Sequence, residues 1–227
     1  MVFKAAVGLA AVVASTPSTL VLPKGALPTQ PLAREALGDL LPLGAGCKLL
    51  LFEGPDETSQ HEAATALARR GNDGACTLWF DAAGRMPSDG THPKLRLASA
   101  LAAHFSQLET TGSVVCSTEA TVVVEGAASL SAEALDLVLK PLQRAAEHGS
   151  PADPPLGGHA LLTATLLGRD VLVPPSVTVA LLFGDLATGR RSGGGLVNGN
   201  DGLGQPSLAA ARAFGNEISL KFPPKFP

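Results

Sequence analysis

Short runs of consecutive apolar residues alternate along this chain with longer stretches whose apolar residues recur every three or four positions. The runs are Lys48 to Glu53, Cys76 to Asp81, Thr121 to Glu125 and Val177 to Phe183. Unbroken Val and Leu in short segments bounded by turn formers predict strands buried on both faces, as in a parallel sheet. The periodic stretches predict helices. Thr29 to Gly44 repeats Leu32, Ala36 and Leu40 beside Leu37 and Leu41, with Arg34, Glu35 and Asp39 off those rows. His61 to Arg70 places Ala64 and Leu67 inward and stops on Arg69, Arg70 and Gly71. A helix opened by Pro93 carries Leu97, Leu101, Phe105 and Leu108. Another, capped by Ser131 and kinked at Pro141, carries Leu135, Val138, Leu139 and Leu142 to about His148. Strand, loop and helix in alternation predict an α/β, doubly wound fold with a mostly parallel central sheet of about five strands.

The remaining segments complete the plan. His159 to Leu167 and Val171 to Val173 are apolar and joined through Gly168-Arg169-Asp170. Ala187 to Gly204 is Gly-rich and polar, so it reads as a loop or a disordered stretch, and Pro206 to Phe214 as one Ala-rich helix. The closing KFPPKFP cannot be helical and reads as an extended docking arm. At the other end, residues 1–23 join one basic residue, Lys4, to the small apolar run Ala5 to Ala14. That pattern fits a targeting signal, a membrane anchor or a buried arm equally. The expected division is a hydrophobic N-terminal segment over 1–24, a domain over 25–190, and a Gly-rich loop with an extended tail over 191–227.

Composition narrows the function. The 227 residues suffice for one α/β domain with a sizeable core. A net charge of −3 lacks the basic face that a phosphate-backbone reader needs, and one Trp with no Tyr leaves few stacking platforms, so nucleic acid is excluded as a partner. Only 16% of residues are charged, a weak sign that partners or lipid cover part of the surface. Cys47, Cys76 and Cys116 show no CxxC spacing and the five histidines no ligand pair, so no metal site is expected. One disulfide is possible on this count, with nothing in the spacing to choose it.

Candidate chemistry concentrates at Lys48 to Ala66, which reads as strand, Gly-Pro turn and helix. That is the layout of a phosphate-binding loop, which needs a Gly-rich bend, a Lys for the outer phosphates and a Ser or Thr for Mg²⁺. Aligned on Gly54 and Pro55, the chain offers Asp56, Glu57, Thr58 and Ser59, with Gln60 in the Lys position and His61 in the hydroxyl position. Two carboxylates facing a triphosphate repel it, and Gln60 has no charge to offset them. No GxSxG elbow or immediate glycine-loop helix supports a different enzyme.

Segments in the right order resemble the AAA+ family, in its torsin and Clp-like branch. Gln30 to Arg34 resembles the helix that opens that core, and Leu49 to Leu67 its Walker A strand and helix. Phe80 to Pro87 resembles the segment after its second strand. Val122 to Leu142, with Lys140-Pro141, resembles its Walker B strand and following helix. Gly168-Arg169 and Thr178 to Leu186 resemble the strand that leads to sensor 1. The resemblance implies a three-layer P-loop fold. It also shows departures. Glu125-Gly126 stands where Walker B ends in Asp-Glu, Asp185 stands where sensor 1 has Asn, Arg190-Arg191 lie in a Gly-rich loop, and too little chain follows for the C-terminal lid. Loss of the Lys, the Mg²⁺ ligands and the positioning residues abolishes phosphoryl transfer. The expectation is a pseudo-ATPase with no catalytic residue and no cofactor. It would serve as a scaffold or accessory subunit of a membrane-associated protein complex, with other protein subunits as partners and membrane contact through residues 1–23. The resemblance points to the endoplasmic reticulum lumen, with mitochondrion or plastid as alternatives. The alternative function is a divergent AAA+ ATPase with chaperone-like activity, using ATP and Mg²⁺ through Glu125 and Thr58 or Ser59.

Overall fold

The computed structural model describes residue 27 and residues 30–39, 46–69, 76–84, 92–110, 119–148, 161–184, 204–215 and 217–224. The N-terminal segment 1–24, Asp185, Cys116, Arg190-Arg191 and the Gly-rich stretch up to 203 lie outside these residues. In chain order the elements are α1 (Pro31–Asp39), β1 (Gly46–Glu53), α2 (Glu57–Ala68), β2 (Thr77–Asp81), α3 (Arg96–Thr110), β3 (Glu119–Glu125), α4 (Ala132–His148), β4 (Leu162–Leu166), β5 (Arg169–Val173), β6 (Ser176–Gly184), α5 (Gly204–Arg212) and β7 (Glu217–Lys221).

Five strands form one sheet in the order β2-β3-β6-β1-β7, and every neighbouring pair is parallel. The fold is α/β, with helices on both faces of a mostly parallel central sheet, consistent with a three-layer P-loop-like arrangement. The continuous apolar runs explain why. Leu49, Leu51, Val122, Val124, Val179 and Leu181 point to the face covered by α3, α4 and α5, whereas Leu50, Phe52, Val123, Ala180 and Leu182 point to the face covered by α1 and α2. Successive strand residues alternate faces, so only a strand apolar at every position satisfies both layers.

The fifth strand is not one of the apolar runs. Glu217 to Lys221 lies along β1, with Leu49 to Glu53 opposite Glu217 to Lys221, and Phe222 beyond it is fully buried. The start of the expected docking arm is therefore an edge strand and its anchor. Conversely, the apolar segments at 162–173 form an antiparallel hairpin apart from the main sheet. Leu167 and Gly168 both take positive φ, which is the two-residue turn that matches strand twist. Its Ala164, Leu166, Val171 and Val173 pack into the α3–α4 layer.

Connection directions position the site. From β1 the chain crosses by α2, on one face, to β2 at the far edge. Every later step returns the other way over the opposite face, by α3, α4 and α5. The two directions part between β1 and β6. Beyond the carboxyl ends of strands at such a switch point, open α/β sheets carry a crevice.

Candidate functional site

At that switch point the strand ends are held tightly. A register shift between Phe52 and Glu53 sets Glu53 opposite Gly184 instead of Phe183, so β6 turns as β1 ends. Gly54 takes φ +134, and a Cβ there would lie 2.0 Å from the carbonyl oxygen of Phe222, so only glycine fits beneath the tail. Helix α2 then begins at Glu57, earlier than the expected start at His61, because Asp56 caps it. Between strand and helix stand only Gly54, Pro55 and Asp56. A phosphate-binding loop has four residues between its two glycines before the Lys. Here those four positions are Pro55 to Thr58, and the chain is already helical from the third of them, Glu57, through Ser59 in the second glycine position and Gln60 in the Lys position.

Asp56 does not face the crevice as a repelling charge. It is buried, and its carboxylate accepts from the Ser59 amide at 3.1 Å, the Ser59 hydroxyl at 2.5 Å and Gln30 Nε2 at 3.0 Å. Gln30 Nε2 also donates to the carbonyl of Pro223 at 2.8 Å. An N-cap aspartate satisfies amides that the first helical turn leaves free, and its charge suits that end of the helix dipole.

Gln60, 1% exposed, fills the gap between the strand ends. Its Nε2 donates to the Gly54 carbonyl at 2.7 Å, and its Oε1 accepts from the Gly184 amide at 3.4 Å. The neighbouring main-chain donors are engaged as well. Gly54 N–H donates to the Gly184 carbonyl, Asp56 N–H to Phe222, Glu57 N–H to Pro55 and Gln60 N–H to the Asp56 carbonyl. With Ser59 N–H on Asp56 Oδ1, five amides of the bend have partners inside the chain. A phosphate cradle is built from such amides left free to point at the ligand.

Glu53, at the end of β1, gathers a second cluster. Its Oε2 lies 2.7 Å from both Arg212 Nη2 and Lys221 Nζ, and its Oε1 accepts from the Ser219 hydroxyl at 2.6 Å. Burial alone pushes the carboxyl up. The bonds from Lys221, Ser219 and Arg212, with the Lys221 charge, outweigh it and hold Glu53 below the usual carboxylate range. The cluster ties α5 and β7 to β1. The Phe222 ring adds a tilted contact with Phe52 at 5.2 Å between centroids.

Apart from Ser59, the other predicted residues that the structure describes lie along the same edge but in water. His61 Nδ1 and Glu125 Oε1 are 2.7 Å apart, with the His61 side chain 61% exposed, and the His61 ring lies 5.3 Å from that of Trp79. Glu57 is exposed, and a Cβ on Gly184 would come within 2.9 Å of its Oε1. Pro55 and Thr58 are exposed, and Ser59 is buried on Asp56. Among the described residues, no group of three or more His, Cys, Asp or Glu side chains is placed to hold a metal ion, and no helix is long and apolar enough to cross a membrane.

The structure thus brings Gly54, Asp56, Glu57, Gln60, His61 and Glu125 to one edge of the sheet. It adds residues that the sequence pattern does not mark as part of the site: Gln30, Glu53, Gly184, Arg212, Ser219, Lys221 and Phe222. A carboxylate closing a buried apolar run, as Glu53 does, is the available signal, since such a group needs partners. Those partners come from the far end of the chain, which no local pattern links to β1. No family model matches the chain, and none of the curated proteins matches it.

Proposed function

We propose that this chain is a non-catalytic, torsin-like scaffold or accessory subunit of a larger, membrane-associated protein complex. One observation carries the non-catalytic part: at the switch point the main-chain amides and the crevice itself are taken up by the chain's own groups, with Gln60 seated between Gly54 and Gly184. Phosphoryl transfer needs a cation, a metal site and free donors around the transferred group. The bend supplies a neutral amide in place of the cation and bonded donors in place of free ones. The torsin-like and membrane parts rest on the sequence resemblance and on the apolar N-terminal segment.

The test pairs turnover with assembly size. Purified protein with MgATP is expected to release no phosphate above buffer, and Glu125→Gln to change nothing. The native chain is expected to sediment in particles several times heavier than its own 23.0 kDa. Turnover that falls in Glu125→Gln would favour the divergent ATPase instead. A native particle of monomer size would remove the scaffold.

A further inference from the structure

The two edges of the main sheet are built differently. In β7 the Phe222 amide donates to the Glu53 carbonyl, so Ile218 and Leu220 turn their main chain to β1, and Glu217, Ser219 and Lys221 turn theirs outward. Those three are charged or polar, and Pro223 and Pro224 follow them, which is how an edge is kept from pairing. In β2 the Cys76 carbonyl accepts from the Thr121 amide, and the Ala82 amide donates to the Glu125 carbonyl. Leu78 and Phe80 therefore face β3, and Thr77, Trp79 and Asp81 turn their N–H and C=O groups to the open side. Among the described residues no strand lies on that side. The strand contains no Pro, Lys or Arg, and Trp79, the single Trp of the chain, is 39% exposed on it. On the Trp79 face, α2 packs over β3 and β6, inboard of β2. The strand is also held in place: Cys76 before it is disulfide-bonded, and Arg96 donates to the carbonyls of Asp81 and Gly84 after it.

We propose that this edge pairs with the same edge of a second copy of the chain, antiparallel about a two-fold axis at Trp79, so that the two sheets join into one. Two copies that meet by the same edge run antiparallel, and the contact closes on itself. With the axis at Trp79, Trp79 meets Trp79 and Thr77 meets Asp81. Every outward residue of the strand then faces another and exchanges main-chain hydrogen bonds with it. An axis at Leu78 or Phe80 leaves one outward residue of each strand unmatched. The side chains suit the same register. Directly opposed aromatic rings are a favourable cross-strand pair. Leu78 and Phe80, each partly buried against the core of its own copy, become neighbours. Each Asp81 carboxylate meets an uncharged Thr77, and the two carboxylates stand about 13 Å apart along the ladder, beyond a Debye length of about 8 Å. No like charges oppose each other along β2. Another protein would have to supply this pattern, whereas a second copy supplies it by symmetry. The inference does not rest on the scaffold reading, which is tested on the native particle; this one is tested on the chain alone.

The experiment is sedimentation equilibrium of the purified full chain without reductant, from about 1 to 200 μM, with Trp emission recorded on the same samples. A five-residue edge is a small interface, so the association is expected to be reversible, with a Kd of about 10–100 μM. The mean mass should climb from 23.0 kDa towards twice that value. The emission comes from Trp79 alone and should move to shorter wavelength along the same curve, because pairing takes the indole out of water. Trp79→Lys sets two ammonium groups opposite each other and should weaken association by about tenfold or more. Thr77→Lys faces Asp81 of the second copy and should tighten it. Should Trp79→Lys not fold, the emission of the natural chain and the Thr77→Lys variant still decide. A mass of 23.0 kDa at every concentration, a dimer whose emission does not shift, or a dimer that neither substitution alters would each overturn the proposal.

Discussion

Two parts of one sheet edge make opposite use of the same kinds of residue. At the ends of β1 and β6, Glu53, Asp56 and Gln60 are buried and each is bonded to groups from distant parts of the chain. At the ends of β2 and β3, His61 and Glu125 touch each other but remain largely in water. The first region is a seam: its polar groups sit in a low-dielectric setting and have to be satisfied there. The second is a solvated surface, where an ion pair contributes little because water screens both partners. A carboxylate beside a phosphate-loop-like bend therefore signals chemistry only when its partners are missing from the chain. Here Asp56 and Glu53 both have theirs.

Substitutions should separate the two regions sharply. The largest effect is expected in the seam at Phe222→Ala. This removes a fully buried ring from its place against Phe52, and chemical denaturation should report a loss of about 3–5 kcal/mol. Gln60→Leu keeps the volume but leaves the Gly54 carbonyl and the Gly184 amide without their partner, for a loss of about 2 kcal/mol by the same measurement. A loss within error would show that water or backbone shifts replace Gln60 and that the crevice is not sealed by it.

Glu53→Gln should cost less, about 1 kcal/mol at neutral pH, because Arg212 and Lys221 are free to turn to solvent. Its pH dependence is the sharper reading. The folded-state pKa of Glu53 lies below its unfolded value, so its contribution is fully present above the unfolded pKa, roughly 4.3 for a glutamate. It fades as pH falls through the folded value. The stability gap between natural chain and variant should therefore close in acid, and a gap that widens there would contradict the cluster. The smallest effect is expected in the solvated region. His61→Ala should change stability by less than about 0.5 kcal/mol, and a larger loss would mean that the two regions are one network.

The contrast also shows what a sequence can and cannot carry. Four of the five sheet strands are legible as apolar runs; in β1, β3 and β6 burial on both faces explains the run, whereas β2 lies at the sheet edge with all its residues at least partly exposed, against the expectation of a strand buried on both faces. The helices α1, α3 and α4 are legible through their periodic rows. The fifth strand is not. Glu217 to Lys221 alternates polar and apolar residues over only five positions, the pattern of a half-buried strand rather than an apolar run, and its pairing with β1 is a contact between remote parts of the chain. Helix α2 starts earlier than its apolar rows suggest, because Asp56, Glu57 and Ser59 read as loop chemistry, whereas an Asp three residues before a Ser amide is a capping pattern. The residues that resemble a spoiled phosphate site are a helix start. That Gln60 stands where a phosphate-binding loop would carry Lys is readable from one position; what that residue does depends on the positions of Gly54 and Gly184.

The central claim is that the crevice between β1 and β6 is closed by Gln60, Asp56 and the tail and so does not take nucleotide. Isothermal titration calorimetry of the folded chain with ATP and with ADP, each with Mg²⁺, tests it most directly. A closed crevice predicts no saturable heat at millimolar ligand. A micromolar Kd that weakens in Gln60→Leu would contradict it, since that would place the nucleotide in the seam itself.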